Sequence, residues 1–387
     1  MATLTKPVQI KVITDDPALD RTIRAFTDGM NFVSGIIFGF GKPKGSNAVQ
    51  HQVYGDLRNR YGLKSQMACN AVRQVVGPYL ALREQITIGQ TVWQQLTFRP
   101  TAMTSSYHRD FTITETTLGI TTLDGRKSYP LKMYDRARKF FDGSWTFGAS
   151  KLVRHRNGQY YFHLCCEKEV SLKPIEKATT FMGVDVGQNY LAVTSTTDQK
   201  CRFICGGAAK NLHRVYSQMR KRLQQKGTRS AMRVLKNLSG REQRLMTAIN
   251  HDVSRNLVAF AVQNRVDVIG LEDLTGIRTH TKQPRDDRYT HHSWAFFQLQ
   301  QFITYKALEH GIGVLSVDPR YTSQTCPRCS HISKNNRHGR SFRCECCRYD
   351  LHADLIGARN IESRARDSRY TCELQGRLST AHTEPTS

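Results

Sequence analysis

The sequence predicts a chain of two halves: an all-β barrel or sandwich interrupted by helices, then an α/β layer carrying a cysteine-rich metal ribbon. Three observations predict it. Residues 87–170 hold strand-like runs punctuated by Asp124-Gly125 and Asn157-Gly158, dipeptides that favour tight hairpins. Beyond a short linker, SLKPIEKATT, the apolar runs FMGVD and VDVIGLE alternate with long helical patterns. Two C-x-x-C pairs then close the series.

In chain order, residues 1–14 alternate like a strand and residues 17–83 read as helices, with a Gly-rich break at FGFGKPKGSN. That places a helical insert, 17–86, inside a β region of 1–16 and 87–178. TITETTLGITTLDGRKSYPLKM and KLVRHRNGQYYFHLCCEKEV supply the hairpin strands, and FMGVDVGQNYLAVTS reads as a buried strand, a Gly turn and a second strand. Residues 208–263 follow as a long helical region. Its first part carries Arg220, Lys221, Arg222, Lys226, Arg229, Arg233, Lys236, Arg241 and Arg244, with Glu242 as the only acid. A solvated helix face is the ordinary explanation of a charge run, but here the opposite charges for i to i+4 pairs are nearly absent. A groove for a nucleic-acid backbone fits better, with Arg220, Arg222, Arg229, Arg233, Lys236 and Arg241 as phosphate contacts. VDVIGLEDLTGI is a further buried strand ending in acids, and SWAFFQLQQFITYKALEHGIGVLSVDPRYTSQTC an amphipathic helix, a Gly break and a strand that leads into the cysteines. From about residue 365 the chain is polar without a core pattern and is expected to be disordered.

The 387 residues carry a formal net charge of +25, with 57 Lys and Arg against 32 Asp and Glu, so a polyanion is the expected partner. No apolar run approaches the roughly 18 residues a membrane span needs. The opening MATLTKPVQIKVITDDP lacks the apolar core of a secretion signal, and a cytoplasmic protein is expected, associated with the nucleoid when bound to DNA. Five of the 11 cysteines fall within about twenty residues and the others are scattered, as in a reduced protein with one metal site.

Cys326 and Cys329, and Cys344 and Cys347, have the spacing of a Cys₄ zinc ribbon, each pair forming one knuckle. Cys346 breaks that rhythm and is read as a bystander, although Cys344, Cys346 and Cys347 could compete for the same metal. Four thiolates leave no open position, so the one Zn²⁺ is structural and the chemistry lies elsewhere. Three acids suit it. Asp185 ends FMGVD between Gly183 and Gly187, Glu272 ends the apolar run VDVIGLE, and Asp354 opens DLIGARNIE just after the second knuckle. Each has an ordinary explanation: a strand-end turn, a surface carboxylate, a helix cap. Together, carboxylates on two strands and a helix can hold two Mg²⁺ ions about 4 Å apart for attack of water on a phosphodiester.

GVDVGQNYLAVTS, IGLEDLTGI, VDPRYTSQTCPRCS, FRCECC and HADLIGARNI, in this order and spacing, resemble the TnpB family of transposon-encoded RNA-guided nucleases, related to miniature type V CRISPR effectors. The resemblance implies a β-barrel wedge domain with a helical recognition insert, then an RNase H-like RuvC nuclease domain (179–319 and 350–364) holding the zinc ribbon (320–349). It implies that Asp185, Glu272 and Asp354 are catalytic, that Cys326, Cys329, Cys344 and Cys347 bind zinc, and that the ribbon acts as a lid or strand guide. One departure stands out: where the family has D-x-N-A-A-x-N, this chain has Ile356 in place of the first Asn, with Asn360 retained. YGLKSQMACNAVRQV resembles the segment that reads the motif flanking the DNA target, with Lys64, Ser65, Gln66, Asn70 and Arg73 as candidates because such side chains pair with base edges. An ordinary exposed helix face explains them as well.

The function implied is an RNA-guided DNA endonuclease with a guide RNA and double-stranded DNA as partners, one protein per guide RNA and no membrane. The alternatives are a nuclease-inactive guided repressor, which would normally have lost an acid, and a transposase or junction resolvase, which would be expected to lack the barrel and insert and the ribbon between the second and third acids.

Overall fold

Strand β1 (Ala2–Val12) opens the chain, and its alternation buries Val8, Ile10 and Val12 on one face. The computed structural model describes residues 2–187, 189–273, 296–367 and 371–372. They divide into a unit of residues 5–168 and a unit from 169 onward that includes the first four residues.

In the first unit, helices α1 (Pro17–Gly39), α2 (Ser46–Asn59) and α3 (Ser65–Thr87) lie between β1 and β2 (Ala102–Ser105). Asp16 starts α1: its Oδ1 accepts the Ala18 amide at 2.8 Å, and Pro17 takes the first helical position, where its missing N–H costs nothing. The strands that follow are β3 (Phe111–Ile113), β4 (Thr117–Thr122), β5 (Gly125–Lys132), β6 (Thr146–Phe147), β7 (Ser150–Arg154) and β8 (Tyr160–Val170), with one helical turn, α4 (Asp135–Arg138), after β5. They form an eight-stranded sheet in the order β2-β7-β8-β1-β5-β4-β3, with β6 on β8. Both expected hairpins are present: Thr122 pairs with Gly125, and Asn157-Gly158 joins β7 to β8 with Gly158 at φ 80°.

The second unit is built on a six-stranded sheet in the order β11-β10-β9-β12-β13-β17. Its strands are β9 (Phe181–Asp185), β10 (Tyr190–Thr196), β11 (Cys201–Cys205), β12 (Val268–Glu272), β13 (Gly313–Val317) and the two-residue β17 (Thr371–Cys372). β9, β12 and β13 run parallel, flanked by antiparallel neighbours. Both faces are covered, which is why these strands read as unbroken apolar runs. On one face Met182, Val184, Ile269 and Leu271 pack under α6 (Arg229–Gln263) and α7 (Phe296–Glu309). On the other, Phe181, Val268 and Val317 meet Ile361 and Ala365 of α8 (Ala353–Arg366).

The helical region read from 208 to 263 consists of two helices. α5 (Gly207–Lys226) ends at Gly227 with φ 61°, a left-handed stop that glycine adopts without strain, and Thr228 restarts α6 by accepting the Ala231 amide at 3.2 Å. β14 (Arg337–His338), β15 (Ser341–Arg343) and β16 (Asp350–His352) form a small three-stranded sheet around buried Phe342. α8 runs through Arg366, two residues into the stretch expected to be a tail. The remainder of that stretch from 373, the close of VDVIGLEDLTGI and the start of the helix read from SWAFF lie outside the described residues. Among the described residues no helix is long and apolar enough to cross a membrane.

Candidate active site

Strand register decides where the three acids go. Gly270 pairs with Gly183 and Leu271 with Val184 in the parallel β9–β12 ladder, so Asp185 and Glu272 end adjacent strands in step and on the same face. Neighbouring strands lie about 4.8 Å apart, which brings two carboxylates side by side. α8 crosses that face closely: a Cβ on Gly183 would stand 2.0 Å from the Ala358 carbonyl oxygen, so only glycine admits the helix. Gly357 in turn faces Asp185, whose Oδ2 is 2.7 Å from where a Cβ would be. Asp354 lies one turn before Gly357 and Ala358 on the same helix face, and so points its carboxylate toward Asp185.

The electrostatics report this convergence. Burial, and then the negative charges of Glu272 and Asp354, push Asp185 well above the usual carboxylate range, with Arg337 working weakly against them. Glu272 is also raised, chiefly by burial, while its bond from Thr322 and the charges of Arg364 and Arg337 oppose the rise. Oxygen donors crowded in this way suit hard divalent cations, whose charge removes the repulsion the carboxylates otherwise bear.

Two residues at the site were not among the sequence candidates. Arg337 Nη2 lies 3.2 Å from Asp354 Oδ1 and donates to it. Thr322 is buried, and its hydroxyl donates to Glu272 Oε1 at 2.6 Å. Neither carries a local signal, since one sits in the polar run SKNNRHGR and the other directly before the first knuckle. Asn360 fixes the same loop by donating to the carbonyls of Thr322 and Thr325 at 2.6 and 2.8 Å. Ile356, the departure from the family pattern, is fully buried with Cys326, Phe342, Cys344 and Ala353. Its apolar side chain joins α8 to the ribbon and leaves the Asp354 carboxylate untouched.

The ribbon gathers Cys326, Cys329, Cys344 and Cys347 with their sulfurs all within 4.8 Å of one another. The Cys326–Cys347 and Cys329–Cys344 sulfur separations are 3.6 and 3.5 Å. Zn–S bonds of about 2.3 Å set the sulfurs of a tetrahedron about 3.8 Å apart, so the cluster can hold a metal such as zinc with little adjustment. Burial opposes ionisation of Cys344, yet the backbone amides of Cys347 and Cys346 pointing at its sulfur help bring that thiol down to about 6. Cys346 itself is exposed and outside the cluster.

The basic residues divide. Arg222, Arg229, Arg233, Lys236 and Arg241 are exposed on α5 and α6. Arg220 is not available as a free phosphate contact: its guanidinium pairs with buried Glu242, which also bonds His213 Nδ1 at 2.7 Å, and the three tie α5 to α6. In the first unit, Lys64, Ser65 and Arg73 are exposed around the start of α3. Asn70 is buried instead. Its Nδ2 donates to Asp110 Oδ2 at 2.7 Å, and its Oδ1 accepts from Gln66 Nε2 and Ser106 Oγ at 3.1 Å, so its amide is consumed inside the protein. Gln66 is half-buried and also accepts from Arg109 Nη1 at 3.1 Å.

Residues 296–361 match the family described as Cas12f1-like, TNB domain, a stretch that contains the four ribbon cysteines and Asp354. The CRISPR-associated endodeoxyribonuclease Cas12f1 of Sulfoacidibacillus thermotolerans is 28% identical over 237 residues, 58% of this chain and 54% of that protein. A TnpB-like protein of Methanocaldococcus jannaschii is 31% identical over 163 residues, 41% of this chain and 58% of that protein. The chain is thus similar to TnpB and Cas12f proteins. It spans about half the length of the curated relatives it matches. Its fold is similar to that of Cas12f1 in a complex with single-guide RNA and target DNA, with a TM-score of 0.65 at 15% identity, covering 89% of this chain and 81% of that one.

Proposed function

We propose that the chain is an RNA-guided DNA endonuclease, in which a guide RNA pairs with the target strand and the protein reads a short flanking motif and cleaves by metal-assisted phosphodiester hydrolysis. The convergence of Asp185, Glu272 and Asp354 from two strands and a helix carries this reading. The Sulfoacidibacillus relative is a CRISPR-associated endodeoxyribonuclease, which points the same way.

Asp185, Glu272 and Asp354 would hold the metal in this reading, with Glu272 oriented by Thr322 and Asp354 by Arg337. Two Mg²⁺ ions held there would supply an activated water and stabilise the attacking and leaving oxygens. Arg337 sits where a phosphate between the acids would meet a positive charge, and its bond to Asp354 keeps it in place. The zinc ribbon orders the loop that carries Arg337 and Thr322, so its part is structural. Arg222, Arg229, Arg233, Lys236 and Arg241 hold the backbone of the guide or of its duplex with DNA. Lys64, Ser65 and Arg73 contact the flanking motif, with Gln66 at the edge of that surface and Asn70 behind it as support. The enzyme works in the cytoplasm, one protein per guide RNA.

The test is to express the chain with its native flanking DNA, sequence the RNA that copurifies, and offer a plasmid library bearing the matching target beside a randomised flank. Cleavage in Mg²⁺ confined to a subset of flanks is expected, with Asp185→Ala losing cleavage and keeping guide-dependent binding. Substantial cleavage by that variant would remove the assignment of the acids, and an absence of copurifying RNA would remove the guided reading.

A further inference from the structure

A cluster of aromatic rings stands beside the carboxylates, and none of its side chains bonds a carboxylate oxygen in the contacts described above. Tyr190, Phe203 and His352 form a closed triangle, with ring centroids 5.1 Å apart for Tyr190 and Phe203 and 5.4 Å from His352 to each, all edge to face. Three separate elements supply them. Register fixes their distance from the acids: Asp185 pairs with Val193, and Val193 with Phe203, so all three leave one face of the sheet in a single row. Phe203 therefore stands two strands, roughly 10 Å, from Asp185. His352 caps α8, and its Nδ1 accepts the Asp354 amide at 3.3 Å. The turn that presents Asp354 thus also presents the ring.

Core packing accounts for Tyr190, which lies against Val193, Leu355 and Ala358, but not for Phe203. β11 is the edge strand of its sheet, where polar side chains are the usual choice, yet Phe203 there remains 38% exposed. Tyr190 and His352 behind it are only partly buried. A rigid aromatic surface, open on one side and one nucleotide's reach from three phosphate-directed acids, matches a planar ring attached to an anion. Charge agrees: Arg340 is exposed and its carbonyl accepts the Ala353 amide at 2.8 Å, which places a cation at the same turn.

We propose that Phe203, backed by Tyr190 and His352, is a stacking platform for an unpaired nucleobase adjoining the phosphodiester that the carboxylates hold. This rests on the nuclease reading above. Stacking accepts every base, because each has a π-face, so the platform adds affinity for single strands without sequence preference. It also favours a strand whose base has left its duplex, since a paired base offers no free face.

The test separates bases from phosphates. Affinity of the protein with its copurified RNA is measured by fluorescence anisotropy in Ca²⁺ for a labelled thymidine oligomer and for an abasic oligomer of equal length and charge. Phe203→Ala is expected to weaken binding of the thymidine oligomer about tenfold and to leave the abasic oligomer unchanged, while Phe203→Trp restores wild-type affinity. Unchanged affinity for both oligomers, or an equal loss on both, overturns the platform; the second result would mark Phe203 as a structural residue. Because the readout needs no cleavage, a wild-type protein that cuts no DNA would remove the nuclease reading while this comparison still decides the platform.

Discussion

Asp185 is held in a place that costs a carboxylate twice, once by burial and again by the charges of Glu272 and Asp354, with only Arg337 to offset them. On the proposed reading divalent cations relieve that repulsion, so stability and activity should pull apart at this position. Asp185→Asn keeps the shape and removes the charge. It is expected to melt a few degrees higher than wild type in EDTA, corresponding to about 1 kcal/mol, and to cleave nothing in Mg²⁺. Calorimetry of the two proteins decides the matter: a lower melting temperature for the variant would mean that the acids do not repel. Asp185 could be read from sequence because an apolar run ending in an acid between two glycines is locally odd. Arg337 and Thr322 could not, since their contacts with Asp354 and Glu272 span 17 and 50 residues and exist only once the ribbon has folded.

At the scale of elements, the ribbon joins metal and helix. Ile356 of α8 packs with Cys326 and Cys344 in one small core, so the order of the knuckles passes directly to the helix that carries Asp354. One zinc per chain is expected. Cys346→Ser should retain it, because that thiol is exposed and apart from the four sulfurs, whereas Cys347→Ser should lose it and loosen α8. Metal analysis with hydrogen exchange over α8 reads both effects, and equal metal loss from the two variants would reassign the knuckle. Spacing made this element legible, as glycine chemistry did the hairpins at Gly125 and Gly158. Periodicity alone did not show that α5 and α6 part at Gly227, because charged residues continue on both sides of the break. Nor did it show that Asn70 turns inward, which depends on Asp110 being delivered to α3 from another part of the chain.

Over the whole molecule the excess of +25 is the largest single statement the composition makes, and the structure shows how a part of it is arranged. Arg229, Arg233 and Lys236 fall at i, i+4 and i+7 of α6, on one helix face, all exposed. Arg220 shows why counting charge is not enough, since a cation committed to buried Glu242 stabilises the hairpin and cannot also be counted as a free phosphate contact. If the α6 face holds a guide duplex, each of its cations displaces counterions from the nucleic acid, and binding strength should fall steeply with salt. Changing Arg229, Arg233 and Lys236 together to Ala should then weaken binding for every guide and target alike and lower the slope of log affinity against log salt by roughly 2 to 3. The preference for the flanking motif should stay where it is, because α3 lies in a different unit of the chain. A slope and affinity equal to wild type would make the face merely solvated. A shifted flank preference would instead show that α6 reads bases, and the division of labour between the two units would have to be redrawn.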